Sequence, residues 1–218
     1  TQMCQHILNS HDSICGGNIG TPLSKLDEKA PLWILETSSF TLHYTNIAKP
    51  NLYILLPISE DHITWHGSFE EYENAKLKPL SMMNKEGIVI IPEIYKDYET
   101  KAQKITYKNS DDLCEKFDID KVKLKFNEPF LLDALLALVS KKIIFNEIDY
   151  VNINTFTIDE HKVEEFMDNK NRIWVNDSKA TNVDATINAL VPYKDKKIHL
   201  ILGGDDKGAN LLPLFENI

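Results

Sequence analysis

Short β-branched runs alternate with helical stretches along this chain, and few folds accommodate that alternation. Residues 32–35, 52–56, 87–91 and 105–108 read as strands, with a weaker run at 122–126. A helix is expected over 129–141, with Pro129 in its first turn. Strands separated by helices pair in parallel, so an α/β fold with a mainly parallel sheet is predicted. Further on, residues 163–167 and 172–176 flank Asp168-Asn169-Lys170-Asn171, a turn signal that predicts an antiparallel hairpin. Asn182 is placed to cap a helix bearing Val183, Ile187 and Leu190, with Pro192 just beyond its end. Residues 198–202 read as a buried strand that Gly203-Gly204 closes. A domain boundary is expected near residue 158, after the polar loop at 152–155.

Composition narrows the function classes. The 218 residues suffice for one large or two smaller domains, and 43% of them are hydrophobic, enough for a sizeable core. A formal net charge of −9 argues against nucleic acid as a partner. The three cysteines are odd in number and form no Cys-x-x-Cys, so neither a disulfide framework nor a zinc site is indicated, and a reducing, cytoplasmic setting is expected. No apolar run approaches the roughly 18 residues of a membrane span, so no membrane partner is expected. Thr1 at the start and the helical pattern running from Leu211 to the last residue read as the ends of a segment cut from a longer chain.

In open α/β sheets ligands bind beyond the carboxyl ends of the strands, so the residues just past each run are the candidates for binding. Residues 32–35 lead into Glu36-Thr37-Ser38-Ser39-Phe40, and 52–56 into Ser59-Glu60-Asp61-His62. Residues 172–176 lead into Asp177-Ser178-Lys179-Ala180-Thr181-Asn182, and 198–202 into Gly203-Gly204-Asp205-Asp206-Lys207-Gly208. Four such clusters on one edge predict a ligand-binding edge. Asp177-Ser178-Lys179 lies between a strand and a helix N-terminus, where free N–H groups and the helix dipole favour an anion. Ser68-Phe69-Glu70-Glu71 is a capping box opening another helix. On its wheel Phe69, Tyr72, Leu80 and Met83 share one face, with Lys76 in the middle of it and Lys78 pointing elsewhere. A lysine on an apolar face must snorkel, pair or be modified. His62 and His66 have the i, i+4 spacing of a two-histidine metal pair but no glutamate between them, so with Asp61 they support a metal-dependent hydrolase only weakly.

Taken together, these motifs resemble the Mur ligase family along essentially the whole chain. Gly16-Gly17-Asn18-Ile19-Gly20, the Glu36–Phe40 segment, Glu60-Asp61-His62 and Asn74-Ala75-Lys76 fall in the family's order and spacing, and Asn176-Asp177-Ser178-Lys179-Ala180-Thr181-Asn182 points to its D-glutamate-adding branch. The resemblance implies an incomplete ATPase-type central domain over 1–158 and part of a Rossmann-like C-terminal domain over 159–218. It implies ATP-dependent joining of D-glutamate to UDP-N-acetylmuramoyl-L-alanine through an acyl phosphate, with two Mg²⁺ ions, in a cytoplasmic enzyme of cell-wall synthesis expected to be a monomer. Glu36 would hold one ion, and His62 with a carbamylated Lys76 the other. Asn18 would contact the UDP-sugar with Ser38 and Ser39 nearby. Asp177, Lys179 and Asn127 would bind ATP, and Thr181 with Lys207 the D-glutamate side chain. The chain departs from the family pattern at Thr41, Pro57, the Phe126–Phe130 segment and Lys162. It also holds no Gly-x-x-x-x-Gly-Lys-[Ser/Thr] phosphate loop, which predicts that these 218 residues alone do not turn over. A sister Mur ligase, a folylpolyglutamate synthetase and a non-catalytic Mur-like binding module are the alternatives.

Overall fold

A computed structural model describes residues 1–206 and 208–216. In chain order its elements begin with α1 (Gln2–Leu8), β1 (Ser13–Gly17), β2 (Leu32–Glu36), α2 (Ser39–Tyr44) and β3 (Leu52–Ile54). Then come α3 (Ile63–His66), α4 (Phe69–Met82), β4 (Ile88–Pro92), β5 (Gln103–Tyr107), α5 (Ser110–Phe117), α6 (Phe130–Phe145) and α7 (Tyr150–Ile153). The chain continues through β6 (Glu164–Met167), β7 (Ile173–Asn176), α8 (Val183–Leu190) and α9 (Leu212–Glu216). Two compact units result: Thr1–Pro57 with Glu73–Phe156, and Ile58–Tyr72 with Thr157–Ile218.

The first unit carries the predicted parallel pairing. β1 pairs with β2, and β3, β4 and β5 form a second parallel sheet in that order. Val89, Ile90 and Ile91 of β4 are fully buried, as expected of a strand covered on both faces. The most apolar helix, α6, buries Ala134, Leu135, Ala137, Leu138 and Val139 without exposure. Lys141 on that helix is also buried, and its ammonium is met by Asp149 at 3.0 Å and Glu147 at 3.4 Å. In the second unit β6 and β7 form the expected antiparallel hairpin. Asp168 fastens its turn by accepting from the backbone N–H groups of Lys170 and Arg172 and from the Trp174 indole. Asn182 caps α8 as expected, its Oδ1 accepting from Ala185 N at 2.8 Å.

Two expected strands are absent. Residues 122–126 do not pair. Asp120 instead accepts from Val122 N and caps a single 3-10 turn, Lys121–Lys123, which leaves Val122 exposed. Residues 198–202 form neither a strand nor a buried segment, and Ile201 is 82% exposed. A strand needs a neighbouring edge to take its N–H and C=O groups, and none of the described residues offers one to this run. β1 and α1 were not foreseen: β1 reads Ser-Ile-Cys-Gly-Gly, and glycine is depleted in strands, while seven residues are too few for helical periodicity to distinguish from loop.

Candidate functional site

In the first unit the glycine motif and Glu36 meet at one sheet edge. The parallel register sets Gly17 opposite Glu36. Asn18 N then donates to the Glu36 carbonyl at 2.8 Å, and Asn18 Nδ2 reaches Glu36 Oε1 at 3.4 Å. Gly17 has φ +102°, and a Cβ there would lie 2.3 Å from the Glu36 carbonyl oxygen. Gly17→Ala is therefore expected to destabilise the protein by at least about 1–3 kcal/mol, the range for a residue held in a disfavoured backbone region, read from urea unfolding. Just past β2, Ser38 caps α2, its hydroxyl accepting from Thr41 N at 3.1 Å, and Ser39 is buried. Asn127 is exposed ahead of α6, and its carbonyl accepts from Leu131 N.

Lys76 lies on α4, which opens on the foreseen cap, Ser68 Oγ accepting from Glu71 N at 3.1 Å. Tyr72, Leu80 and Met83 are buried along the predicted face, and Lys76 is half-buried between the buried Ala75 and Leu77. Lys78, off that face, donates to the His43 carbonyl at 2.6 Å and so ties α4 to the helix just after Glu36.

The second unit gathers three of the predicted segments. Glu60, Asp61 and His62 line a cleft with Thr181, Asn182 and Asp206; its free volume of about 10 Å³ has room for one water. His62 sits in the left-handed region at φ 54°, a strained conformation for histidine that its surroundings must hold. Asp61 does so: its Oδ1 accepts from His62 N at 2.8 Å and faces the ring Nδ1 at 3.7 Å. Burial and the Asp61 charge push the nearby Tyr72 phenol up to about 12. Asp177 accepts from Val163 N at 3.1 Å, and burial raises its carboxyl above the ordinary aspartate value. The Lys179 side chain is exposed, while Lys207 lies outside the described residues. Among the described residues no three histidine, cysteine or carboxylate side chains are grouped to hold a metal, those at Asp61, His62 and His66 included. Sequence reasoning gave Asp61, Asn182 and Asp206 no binding role here, although each adjoins a residue it did assign: His62, Thr181 and Lys207.

A roomier groove of about 550 Å³ in the first unit is lined by Gln2, Gln5, His6, Cys15, Asn152 and Phe156. None of the predicted site residues lines it, so volume and chemistry do not coincide.

A divalent ion requires oxygen or nitrogen donors with lone pairs to spare. Glu36 qualifies, since Asn18 provides its one side-chain hydrogen bond among the described residues. An ammonium has no lone pair, so Lys76 fits a metal only as a carbamate.

Residues 18–132, just over half of the 218, match the Mur ligase middle domain. A Campylobacter jejuni protein named UDP-N-acetylmuramoylalanine–D-glutamate ligase is 55% identical over 99% of this chain and 54% of its own length. A Helicobacter pylori protein of the same name is 48% identical over 99% of this chain and 55% of its own. The chain thus spans about half the length of these relatives. The solved structure of a MurF ligase from Thermotoga maritima in complex with ADP superposes with a TM-score of 0.62 at 15% identity, covering 87% of this chain and 53% of that one. No helix among the described residues is long and apolar enough to cross a membrane.

Proposed function

Since the chain belongs to the Mur ligase family, we propose that the whole protein is an ATP-dependent ligase joining D-glutamate to UDP-N-acetylmuramoyl-L-alanine. The observation that carries this reading is the Asn176–Asn182 run at the head of α8, which points to the D-glutamate-adding branch named for the relatives that are 55% and 48% identical. In the proposed reaction the γ-phosphoryl group of ATP passes to the L-alanine carboxylate and ADP leaves. The D-glutamate amine adds to the acyl carbon, loses its proton, and the tetrahedral species expels phosphate as the amide forms. Bound Mg²⁺ would spread charge on the transferring phosphoryl group.

Residues 1–158 would supply the central nucleotide-binding part and 159–218 the start of the C-terminal domain. Glu36, His62 and a carbamylated Lys76 would hold the two ions. Asp177, Lys179 and Asn127 would position ATP, the backbone N–H groups at the start of α8 adding favourable partial charge. Asn18, Ser38 and Ser39 would face the UDP-sugar. Thr181, beside His62 in the same cleft, would grip D-glutamate together with Lys207. A cytoplasmic setting and a monomer complete the proposal.

The test is ADP release by the whole protein with ATP, Mg²⁺ and UDP-N-acetylmuramoyl-L-alanine, with single amino acids added in turn. D-Glutamate is expected to stimulate turnover at least about 10-fold over L-glutamate, the low end of the discrimination that even a small apolar misfit gives. Stimulation by a different amino acid would reassign the protein to a sister ligase. No stimulation by any would favour a binding module.

A further inference from the structure

Helix α4 contains Pro79. Proline has no N–H to give the carbonyl four residues earlier, here Ala75, and its ring crowds that carbonyl. The turn bearing Lys76 therefore lacks one of its own hydrogen bonds. Side chains from the same unit hold the helix on both sides of this defect. Tyr53 donates its hydroxyl to the Lys76 carbonyl at 2.7 Å, and Thr100 Oγ1 donates to the Leu80 carbonyl at 2.7 Å. One turn before Lys76, Tyr95 donates to Glu73 Oε1 at 2.5 Å.

Tyr53 differs from the others in grasping the backbone of the residue whose side chain matters. It stands at the centre of β3, fixed opposite Val89 by the parallel register, so the sheet sets where its hydroxyl lies. Burial drives its phenol well above the ordinary tyrosine value, keeping the proton in place for donation. We propose that Tyr53 is a positioning residue for Lys76: by bonding the Lys76 carbonyl beside the Pro79 defect, it sets the rotation of that turn and hence where a carbamate on Lys76 is presented. The inference rests on the proposed role of Lys76 as a carbamylated metal ligand. Ala75, Leu77 and Leu80 are buried independently of the phenol hydroxyl's bond, so the helix is expected to stay docked in its absence. The effect expected is about 5–10-fold on turnover, short of the roughly 100-fold that a 1 Å misplacement can cost.

The experiment compares Tyr53→Phe and Thr100→Val in the whole protein. Each loses one hydroxyl bonded to a carbonyl of the same helix; Thr100→Val also loses the bond its Oγ1 accepts from Ala102 N at 3.2 Å, and Thr100 has no other link to the proposed chemistry. The readouts are the ¹³C NMR signal of the carbamate during titration with ¹³C-bicarbonate, the kcat and KM for ATP, and the Tm. Tyr53→Phe is expected to need several-fold more bicarbonate for half-maximal signal and to lower kcat with KM for ATP unchanged. Thr100→Val should lower Tm at least as much and titrate as the wild type does. A wild-type titration in Tyr53→Phe, or an equal shift in both variants, would overturn the positioning role while leaving the reading of Lys76 intact. The absence of any carbamate signal in the wild type would remove the Lys76 reading and this inference together.

Discussion

Lys76→Ala in the whole protein is expected to lower D-glutamate-dependent ADP release by about 10²–10³-fold, the loss typical of removing one preorganised stabiliser of transition-state charge. The chemistry of a carbamate sets the size of the effect. The neutral amine adds to CO₂ and releases one proton, converting a cationic side chain into an anionic oxygen donor suited to Mg²⁺. In the proposed metal set alanine would leave the ion a ligand short, with a space the length of the lost side chain. A short carboxylate such as formate or acetate can occupy that space, so partial recovery of turnover at millimolar formate is expected in Lys76→Ala and not in the wild type. Lys76→Arg should be as inactive as alanine and resist rescue, because guanidinium neither takes up CO₂ nor leaves room. Steady-state assays over a formate series decide the matter. Activity of Lys76→Ala within 10-fold of the wild type would remove the lysine from the proposed metal set.

The largest expected loss of stability is at the ion pair beneath α6. Breaking a buried pair costs about 3–5 kcal/mol when a charge is left without its partner. Which partner is removed matters here. Lys141 is 3% exposed, Asp149 33% and Glu147 53%. Asp149→Ala leaves an ammonium buried with Glu147 alone, and also deletes the cap that Asp149 provides by accepting from Asn152 N at 2.9 Å. About 3 kcal/mol is expected, the low end of that range because Glu147 remains. Lys141→Met keeps most of the buried aliphatic stem and leaves carboxylates that water can reach, so about 1 kcal/mol or less is expected. The Asn152 backbone N–H, and then Lys141, hold the Asp149 carboxyl below its ordinary value. A depressed folded value stabilises the protein above the unfolded value of about 4 and ceases to do so as pH falls through the folded one. The difference between wild type and Asp149→Ala should therefore be constant from pH 7 to 5 and shrink below pH 4. Urea unfolding at a series of pH values measures it. A Lys141→Met loss equal to that of Asp149→Ala would contradict the asymmetry.

Local chemistry sufficed to read much of this molecule. The capping box at Ser68–Glu71, the Asn182 cap and the Asp168-Asn169-Lys170-Asn171 turn each depend on groups within four residues of one another, so the sequence alone specifies them. The face of α4 around Lys76 followed from helical period in the same way. Pairing partners are a different matter. Residues 198–202 have the composition of a buried strand yet are half-buried or exposed, because burial and hydrogen bonding depend on a neighbouring edge that composition does not report. β1 shows the converse: a glycine-ended run with little strand character became a strand because β2 was there to pair with it.

The candidate site divides along the same line. Residue type and order along the chain already singled out Glu36, His62, Lys76, Asp177 and Thr181. Tertiary structure alone brought Thr181, Asn182 and Asp206 round the same cleft as His62, and set the Tyr53 hydroxyl on the Lys76 carbonyl. Caps, turns and helix faces are settled by neighbours in the chain, and the sequence determined them. Contacts across 23 residues, like that of Tyr53 with Lys76, exist only once sheet register and helix packing have fixed both partners in space.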